Sequence, residues 1–226
     1  MKTAFISDIH GNYEALISVL SEIDRIGFTR VYCCGDVVGY YSQINECCEE
    51  LRERDVQCVM GNHDWYMAGN GFCPRSRSVN NCLAYQKTII KPEHLEWLKT
   101  FPVQREVGDI NMVHGGWADP IDEYLVPDSE YFRRLQKNIY VSGHTHVQYL
   151  QRYEDKVYCN PGSVGQPRDG DPRAAFAVYE NGEFVLHRVE YDMQKVFDLM
   201  KKAGFSDYYY GCLKTGAKNL RSLSDQ

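Results

Sequence analysis

The chain has 226 residues, of which 43% are hydrophobic and 25% are charged, and its formal net charge is -6. The length favours one domain, residues 1–226, over a multidomain assembly, and the ordinary composition argues against extensive disorder. The negative charge disfavours broad binding to nucleic acids or anionic membranes, whereas bound metal cations could still attract an anionic substrate locally.

The first sixty residues alternate between short apolar runs and amphipathic stripes. Strands are predicted at Thr3 to Ser7, Val31 to Cys34 and Val56 to Met60. The helices between them begin near Tyr13 and Ile44, where apolar residues recur on one helical face. This βαβαβ order predicts a mainly parallel sheet.

Residues 65–102 are less regular, and we interpret them as an insertion beside the functional site. Its predicted helices cover Asn80 to Ile90 and Pro92 to Lys99. The remaining predicted elements are strands Val103 to Val107 and Ile110 to Val113, a helix Asp128 to Lys137, a strand Ile139 to Ser142, hairpins Gln148 to Cys159 and Ala174 to Val189, and a helix Asp192 to Ala203. The sequence therefore predicts an α/β protein.

The start of the chain and its cysteines predict a cytoplasmic protein. Asp8 interrupts the first apolar run before a signal-peptide core forms, and no segment approaches a membrane span in length. The nine cysteines are an odd number, include the adjacent pairs Cys33-Cys34 and Cys47-Cys48, and form no CxxC motif. We therefore expect reduced thiols that serve as small core residues.

Five short motifs follow the ends of predicted strands. They are Asp8-Ile9-His10, Gly35-Asp36, Gly61-Asn62-His63-Asp64, His114-Gly115 and Gly143-His144-Thr145-His146. Because ligands bind at the carboxyl ends of the strands in an open α/β sheet, we expect these motifs to form one site at one sheet edge. The motifs contain five of the seven histidines of the chain, which is unexpected for histidines with purely structural roles.

The side chains of these motifs are typical of a metal centre. Carboxylates and imidazoles without a thiolate suit manganese, iron, zinc or cobalt. The candidate ligands exceed the needs of one tetrahedral ion, so two ions are expected; they are Asp8, His10, Asp36, Asn62, His114, His144 and His146. Two ions roughly 3.5 to 4 Å apart need a bridging anion, and together they polarise a phosphoryl group and activate a water molecule. Asp36 is the natural bridge.

In this order, the motifs DxH, GD, GNHD, H and GHxH resemble those of the calcineurin-like metallophosphoesterase family, and the segment Asn160 to Arg168 extends the likeness. Five ordered motifs are far more specific than a single DxH. The resemblance implies a sandwich of two β-sheets flanked by helices, which the strand pattern alone does not reveal. It also implies two divalent transition-metal ions, with manganese expected first and iron, zinc, nickel or cobalt as alternatives.

The resemblance implies a role for each residue. One ion would be held by Asp8, His10 and His146, and the other by Asn62, His114 and His144, with Asp36 shared. His63 would face the scissile phosphate, where it stabilises charge or protonates the leaving oxygen, while Asp64 orients its ring. Arg168 is a candidate for binding a substrate phosphate, and the alternative is a solvated arginine in a Pro/Gly turn.

The arginine that protein Ser/Thr phosphatases and symmetrical dinucleoside-tetraphosphate hydrolases of this superfamily usually carry after the GD motif is missing, because Val37 to Tyr40 follow Asp36. The arginine that the protein phosphatases carry before GNH is missing too, because Met60 precedes the GNHD motif. The pattern is more similar to the small prokaryotic phosphodiesterase-like branch. We therefore expect a hydroxide between the ions to attack a small phosphodiester, such as a nucleotide. The enzymatic alternatives, in falling order, are a phosphomonoesterase, an asymmetric dinucleoside-polyphosphate hydrolase and a protein phosphatase. A metal-binding scaffold protein is the alternative without catalysis, but it would be expected to lose ligands.

Several other residues are first interpreted as structural. We expect Arg75 and Arg77 to lie in a solvated loop, with contact to a substrate as the alternative. We expect Tyr208 to Tyr210 to pack the tail against the body, with a stacking platform as the alternative. His94 and His187 follow no strand-end motif and are interpreted in the same way. No membrane partner is expected, and the sequence leaves the oligomeric state open.

Overall fold

The structure is a computed structural model that describes residues 2–27 and 30–217. Its strands, β1 to β10, are Thr3–Ile6, Arg30–Cys33, Gln57–Cys58, Gln104–Val107, Ile110–Val113, Ile139–Val141, Tyr149–Tyr153, Lys156–Asn160, Ala174–Glu180 and Glu183–Val189. Its α-helices, α1 to α7, are Tyr13–Ile26, Ile44–Glu53, Asn62–Met67, Arg77–Ile89, Pro92–Leu98, Ser129–Arg133 and Met193–Lys202. Two short 3-10 turns follow at Asp207–Tyr209 and Gly211–Lys214.

The strands form two five-stranded mixed sheets. The first has the order β10-β9-β1-β2-β3, and the second has the order β4-β5-β6-β8-β7. Strands β1, β2 and β3 are parallel, as the βαβαβ order predicts, and β5, β6 and β8 are parallel in the second sheet. The two-sheet fold that the family resemblance implies is therefore confirmed.

Successive residues of β1 pack on opposite faces of the first sheet, one facing the second sheet and the next facing the helices. Phe5 packs in a buried cluster with Met112 of β5, which lies between the two sheets. Its neighbour Ile6 faces the other way and packs in the cluster that contains Leu16 of α1 and Leu51 of α2. The period of two along a strand explains this arrangement, and it predicts that both faces of the first sheet are buried.

Two predicted elements are shorter than expected. The third strand contains only Gln57–Cys58, because the N–H group of Met60 bonds to the carbonyl of Pro102 and leaves the ladder. Helix α6 covers only Ser129–Arg133, and the chain then tightens into a turn in which the N–H of Leu135 donates to the carbonyl of Phe132. Elsewhere the predicted elements agree with the structure to within a few residues.

Two further expectations concern the state of the cysteines and helices that could span a membrane. All nine cysteines are buried and unpaired, as predicted for core thiols. Within residues 2–27 and 30–217, no helix has both the length and the apolar composition that crossing a bilayer requires. The single domain over residues 1–226 includes residues outside the described ranges and stays a prediction.

Candidate metal centre and active site

The five motifs lie at the carboxyl ends of strands from both sheets. Asp8, Asp36 and Asn62 follow β1, β2 and β3, whereas His114 and His144 follow β5 and β6. The expectation of one edge of one open sheet is therefore wrong. The motifs nevertheless meet, because the strands of the two sheets end beside each other and bring the candidate ligands together.

One group of candidate ligands contains Asp8, His10, Asp36 and His146. Their ligand atoms all lie within 4.8 Å of one another, and all four residues are buried. The Nε2 atoms of His10 and His146 are 3.1 Å apart. Nε2 of His146 is 3.3 Å from Oδ1 of Asp8, and Nε2 of His10 is 3.6 Å from Oδ2 of Asp36.

A second group contains Asp36, His114 and His144, again within 4.8 Å. Nε2 of His114 lies 3.4 Å from Oδ2 of Asp36 and 3.1 Å from Nδ1 of His144. The side-chain oxygen of Asn62 is 3.2 Å from the same Nε2 atom, so Asn62 joins this group. Asp36 thus belongs to both groups.

The hydrogen bonds of the outer ring nitrogens show that this donor set fits metal ions. Nδ1 of His10 lies 2.9 Å from the carbonyl oxygen of Val38, and Nδ1 of His146 lies 2.6 Å from that of Gln166. A carbonyl only accepts, so we assign the proton of each neutral ring to Nδ1. The two Nε2 lone pairs then face each other and Oδ1 of Asp8, which has no hydrogen-bond partner among the described residues. A cation between these atoms would remove their mutual repulsion.

His114 and Asp36 compensate each other electrostatically. Burial disfavours the charged form of His114, but the adjacent carboxylate of Asp36 outweighs burial and raises the pKa of His114 to about 10. Burial likewise opposes ionisation of Asp36, but His114 and His63 hold the pKa of Asp36 well below its usual value. The cluster therefore combines an ionised carboxylate with a cationic partner at neutral pH.

The backbone is left-handed at five of the candidate ligands. The φ angles are 54° at Asp8, 55° at His10, 57° at Asp36, 64° at His144 and 61° at His146. This conformation costs roughly 1–2 kcal/mol per residue for side chains other than glycine. Such residues persist where the surrounding structure holds them, and they concentrate at functional sites.

Two glycines permit the close approach of the motifs. A Cβ atom on Gly61 would lie 2.1 Å from Oδ1 of Asp36. A Cβ atom on Gly39 would lie 2.3 Å from Nδ1 of His10 and 2.6 Å from Nδ1 of His63. Both positions therefore exclude a side chain.

Asp64 does not have the predicted role. Its carboxylate accepts the backbone N–H groups of Asp36 at 2.8 Å, Val37 at 2.9 Å and Gly61 at 3.1 Å, and also that of Val38 at 3.2 Å. Both oxygens are therefore occupied by the loop after β2, and the prediction that Asp64 orients the ring of His63 is wrong. Asp64 instead positions the loop that carries Asp36.

His63 lies between the candidate ligands and an open cleft. Its backbone N–H donates to Oδ1 of Asp36 at 2.9 Å, and its ring lies 5.0 Å from that of Tyr40 between centroids. Nδ1 of the ring is buried and has no hydrogen-bond partner among the described residues. Burial lowers the pKa of His63 to about 4, so the ring is neutral at pH 7.

The cleft beside His63 has a volume of about 260 Å³. Arg168 lines it and is not a solvated turn residue, because it donates to the hydroxyl of Tyr40 at 2.9 Å and to Oε1 of Gln166 at 2.6 Å. The guanidinium carbon of Arg168 lies 5.5 Å from the centre of the Tyr40 ring. Arg168 is therefore held in place beside the candidate ligands, as a phosphate-binding role requires.

The insertion also contributes to this cleft. Arg75 and Arg77 line it, so the expectation that they lie only in a solvated loop is wrong in this respect. Tyr208 lines it as well, whereas Tyr210 packs against Phe197 as expected for a tail residue. Outside the cleft, His94 contacts Arg52 and His187 stacks on Phe176, in agreement with structural roles.

Gln86 of the insertion is a further residue that the motifs do not reveal. Its side chain accepts the backbone N–H of Gly39 at 2.9 Å and donates to the carbonyl of Tyr41 at 2.6 Å. The sequence carries a signal for it, because a polar residue continues the buried stripe of Val79, Cys82 and Leu83 on α4. Helix α4 thus supports the loop that follows Asp36.

The model of the calcineurin-like phosphoesterase superfamily domain matches residues 1–182. The chain belongs to this superfamily. Calcineurin-like phosphoesterases use divalent metals, which agrees with the donor set described above. The chain is therefore a hydrolase that acts on phosphate esters.

Relatives of this phosphoesterase include proteins with and without a stated activity. It is 33% identical over 222 residues to an uncharacterized protein of Methanocaldococcus jannaschii, which covers 88% of this chain and 91% of that protein. It is 27% identical over 173 residues to a symmetrical bis(5'-nucleosyl)-tetraphosphatase of Shewanella loihica, covering 74% of this chain but 61% of the tetraphosphatase. A crystal structure of a metallophosphoesterase from Sphaerobacter thermophilus matches with a TM-score of 0.86 and 31% identity, covering 96% and 99% of the two chains.

Proposed function

We propose that this chain is a dinuclear metal-dependent phosphodiesterase for a small, nucleotide-type substrate. The observation that carries the proposal is the position of Asp36, whose carboxylate belongs to both groups of candidate ligands. A shared carboxylate is what two adjacent ions require as a bridge. The named relatives are dinucleoside tetraphosphatases, which supports a nucleotide-type substrate.

Each side chain has a place in this proposal. One ion would be held by Asp8, His10 and His146 and the other by Asn62, His114 and His144, with Asp36 shared. When bound, two divalent ions polarise a phosphoryl group and activate water as a nucleophile, and we propose manganese as the first ion to test. The chain itself orients the phosphate through the guanidinium of Arg168. The neutral ring of His63 donates an N–H hydrogen bond to a phosphoryl or leaving oxygen.

A preference for diesters rests on the charges next to the ligands. A dianionic monoester needs more charge-assisted hydrogen bonds than a monoanionic diester, and each is worth roughly 1.5–3 kcal/mol. The loop after Asp36 carries Tyr40 rather than an arginine, and the hydroxyl of Tyr40 accepts a hydrogen bond from Arg168. We expect a higher kcat/KM for bis(4-nitrophenyl) phosphate than for 4-nitrophenyl phosphate with the same metal and pH. A clearly higher value for the monoester would promote the phosphomonoesterase alternative.

The metal content provides the direct test of a dinuclear centre. Elemental analysis after reconstitution with manganese or zinc is expected to give two ions per chain, and a chelator is expected to abolish hydrolysis. Asp36→Asn weakens the bridge and should lose both metal and turnover. Asp155→Asn, at an exposed turn, serves as the matched control. No more than one ion in the unsubstituted protein would refute the dinuclear centre.

A further inference from the structure

The cleft beside His63 has a positive lining in a negatively charged protein. The charged side chains that line it are the arginines at positions 75, 77 and 168, and no acidic residue of the described chain lines it. The formal net charge of the whole chain is -6. A local excess of guanidinium groups against this background favours binding of an anion.

The arginines lie on different sides of the ligand cluster. The backbone N–H of Arg168 donates to the carbonyl of His146, and its side chain contacts Tyr40, so Arg168 belongs with the first ligand group. Arg75 belongs with the second group, because its guanidinium lies 5.4 Å from the centre of the Tyr124 ring, and that ring lies 4.1 Å from the ring of His144. If one anionic group contacts Arg168, a second anionic group can contact Arg75.

Arg75 is held in its position by Asp122. It donates to Oδ2 of Asp122 at 2.7 Å and to the other carboxylate oxygen through its second guanidinium nitrogen. Oδ1 of Asp122 is also 3.7 Å from Nε2 of His144, a nitrogen without a hydrogen-bond partner among the described residues. Asp122 therefore lies between the insertion and the ligand cluster, and an anion that binds Arg75 would compete with its carboxylate.

Aromatic side chains also line the cleft. The rings of Tyr40, Tyr124 and Tyr208 are part of its lining. Aromatic side chains stack on nucleobases without a need for a particular sequence or hydrogen-bond pattern. Guanidinium groups and aromatic rings in one cleft match the two chemical parts of a nucleotide.

We infer that Arg75 and Arg77 form a second anion subsite, which binds a phosphate group other than the scissile one. The preferred substrate is then a nucleotide with two or more linked phosphates. The scissile phosphate lies at the metal ligands and Arg168, the next phosphate lies at the insertion, and a base lies against the tyrosines. This inference rests on the proposed function, because it assumes hydrolysis at the same ligand cluster.

Inhibition by nucleotides provides the test. Hydrolysis of bis(4-nitrophenyl) phosphate by the manganese-loaded protein is measured with adenosine monophosphate or adenosine diphosphate as the inhibitor. We expect the diphosphate to inhibit at about tenfold or more lower concentration, since a second phosphate adds charge-assisted contacts. Arg75→Ala and Arg77→Ala are expected to reduce this ratio towards one. Arg133→Ala, an exposed arginine paired with Glu154, is the matched control and should keep the ratio.

Turnover of a polyphosphate substrate provides a second readout. The ratio of kcat/KM for diadenosine tetraphosphate to that for bis(4-nitrophenyl) phosphate should fall about tenfold or more in Arg75→Ala and stay constant in Arg133→Ala. Thermal melting of the variants checks that they fold. Ratios within twofold of the unsubstituted protein in both experiments would overturn the second subsite while leaving the phosphodiesterase in place. Failure of the unsubstituted protein to hydrolyse any phosphate ester would instead refute the proposed function.

Discussion

The carboxylate of Asp64 accepts the backbone N–H of Asp36 at 2.8 Å, so the first turn of α3 fixes the loop that carries the shared candidate ligand. The same turn contains Asn62, which joins the second ligand group, and His63, whose N–H donates to the carboxylate of Asp36. Three successive residues thereby provide a candidate metal ligand, a ring that we propose faces the substrate, and the support of the loop with Asp36.

Substitution of Asp64 should affect stability and metal content together. Asp64→Ala leaves buried N–H groups without a partner, each at a cost of about 1–3 kcal/mol, so the free energy of unfolding should fall by several kcal/mol in urea denaturation. Metal content should fall as well, because the loop with Asp36 loses its support. Asp64→Asn keeps one acceptor oxygen and should be intermediate. Lower turnover with unchanged stability and metal content would restore the original assignment to the ring of His63.

Removal of the His63 ring should lower turnover without loss of metal. We expect His63→Ala to reduce kcat by about 10² to 10⁴, the scale of a positioned acid, base or hydrogen-bond donor. Because burial lowers the pKa of this ring to about 4, it is neutral at pH 7 and donates a hydrogen bond. The loss should therefore be similar for nitrophenolate and alkoxide leaving groups. A much larger loss on the alkoxide would indicate protonation of the leaving oxygen, and His187→Ala controls for a general effect of losing a histidine.

Substitution of Arg168 should weaken substrate binding more than turnover. A contact made equally in the ground and transition states affects mainly KM, and loss of a charge-assisted contact is worth roughly 1.5–3 kcal/mol, or about tenfold to 100-fold. Arg168→Lys should rescue little, because an ammonium group cannot reproduce the planar contacts with Tyr40 and Gln166. Arg173→Ala is the control, since this exposed arginine pairs with Asp171. An effect confined to kcat would argue against a binding role.

Metal affinity should rise with pH because of His114. The carboxylate of Asp36 outweighs burial and raises the pKa of His114 to about 10, so the metal-free ring carries an extra proton at pH 7. This proton must leave before Nε2 can bind an ion, so affinity should increase by about tenfold per pH unit below pH 10 for each proton released. Calorimetry in buffers of different ionisation enthalpy at pH 8 measures the release directly. No proton release at pH 8 would contradict the prediction.

Loss of the Gln86 side chain should destabilise the loop after Asp36. Gln86→Ala leaves the N–H of Gly39 and the carbonyl of Tyr41 without their partner, which should lower the free energy of unfolding by about 1–3 kcal/mol. Turnover should fall too, since Gly39 packs against the rings of His10 and His63. Gln194→Ala, on the exposed side of α7, is the control. Unchanged turnover in Gln86→Ala would show that the loop holds its shape alone.

Much of the first sheet could be predicted from sequence because its strands and helices carry strong local patterns. The apolar period that places Leu16 against the sheet is visible within fourteen residues of α1. The second sheet could not be predicted in this way. Strand β6 pairs with β8 although β7 lies between them in the sequence, and their register is set by contacts between residues that are distant in the chain. Only the family resemblance indicated it.

The candidate ligands could be predicted because each motif contains side chains that bind metal ions. The role of Asp64 could not, since the same carboxylate suits a ring partner or a backbone acceptor, and only the fold brings the N–H group of Val37 to it. The cleft was missed for a similar reason. Arg75 and Tyr208 belong to segments that meet only in the folded chain, and neither segment contains a motif.

Helix α4 places Arg77 in the lining of the cleft and Gln86 against the loop that follows Asp36. If the insertion only lined the cleft, it could be replaced by the insertion of a relative to change specificity, as surface loops often are. Here a transplanted insertion would have to bring a matching amide at the position of Gln86. Replacing the helix would therefore change the lining of the cleft and the support of the loop at the same time. We expect directed evolution of this phosphoesterase to proceed through substitutions in the first turn of α4 rather than through replacement of the helix.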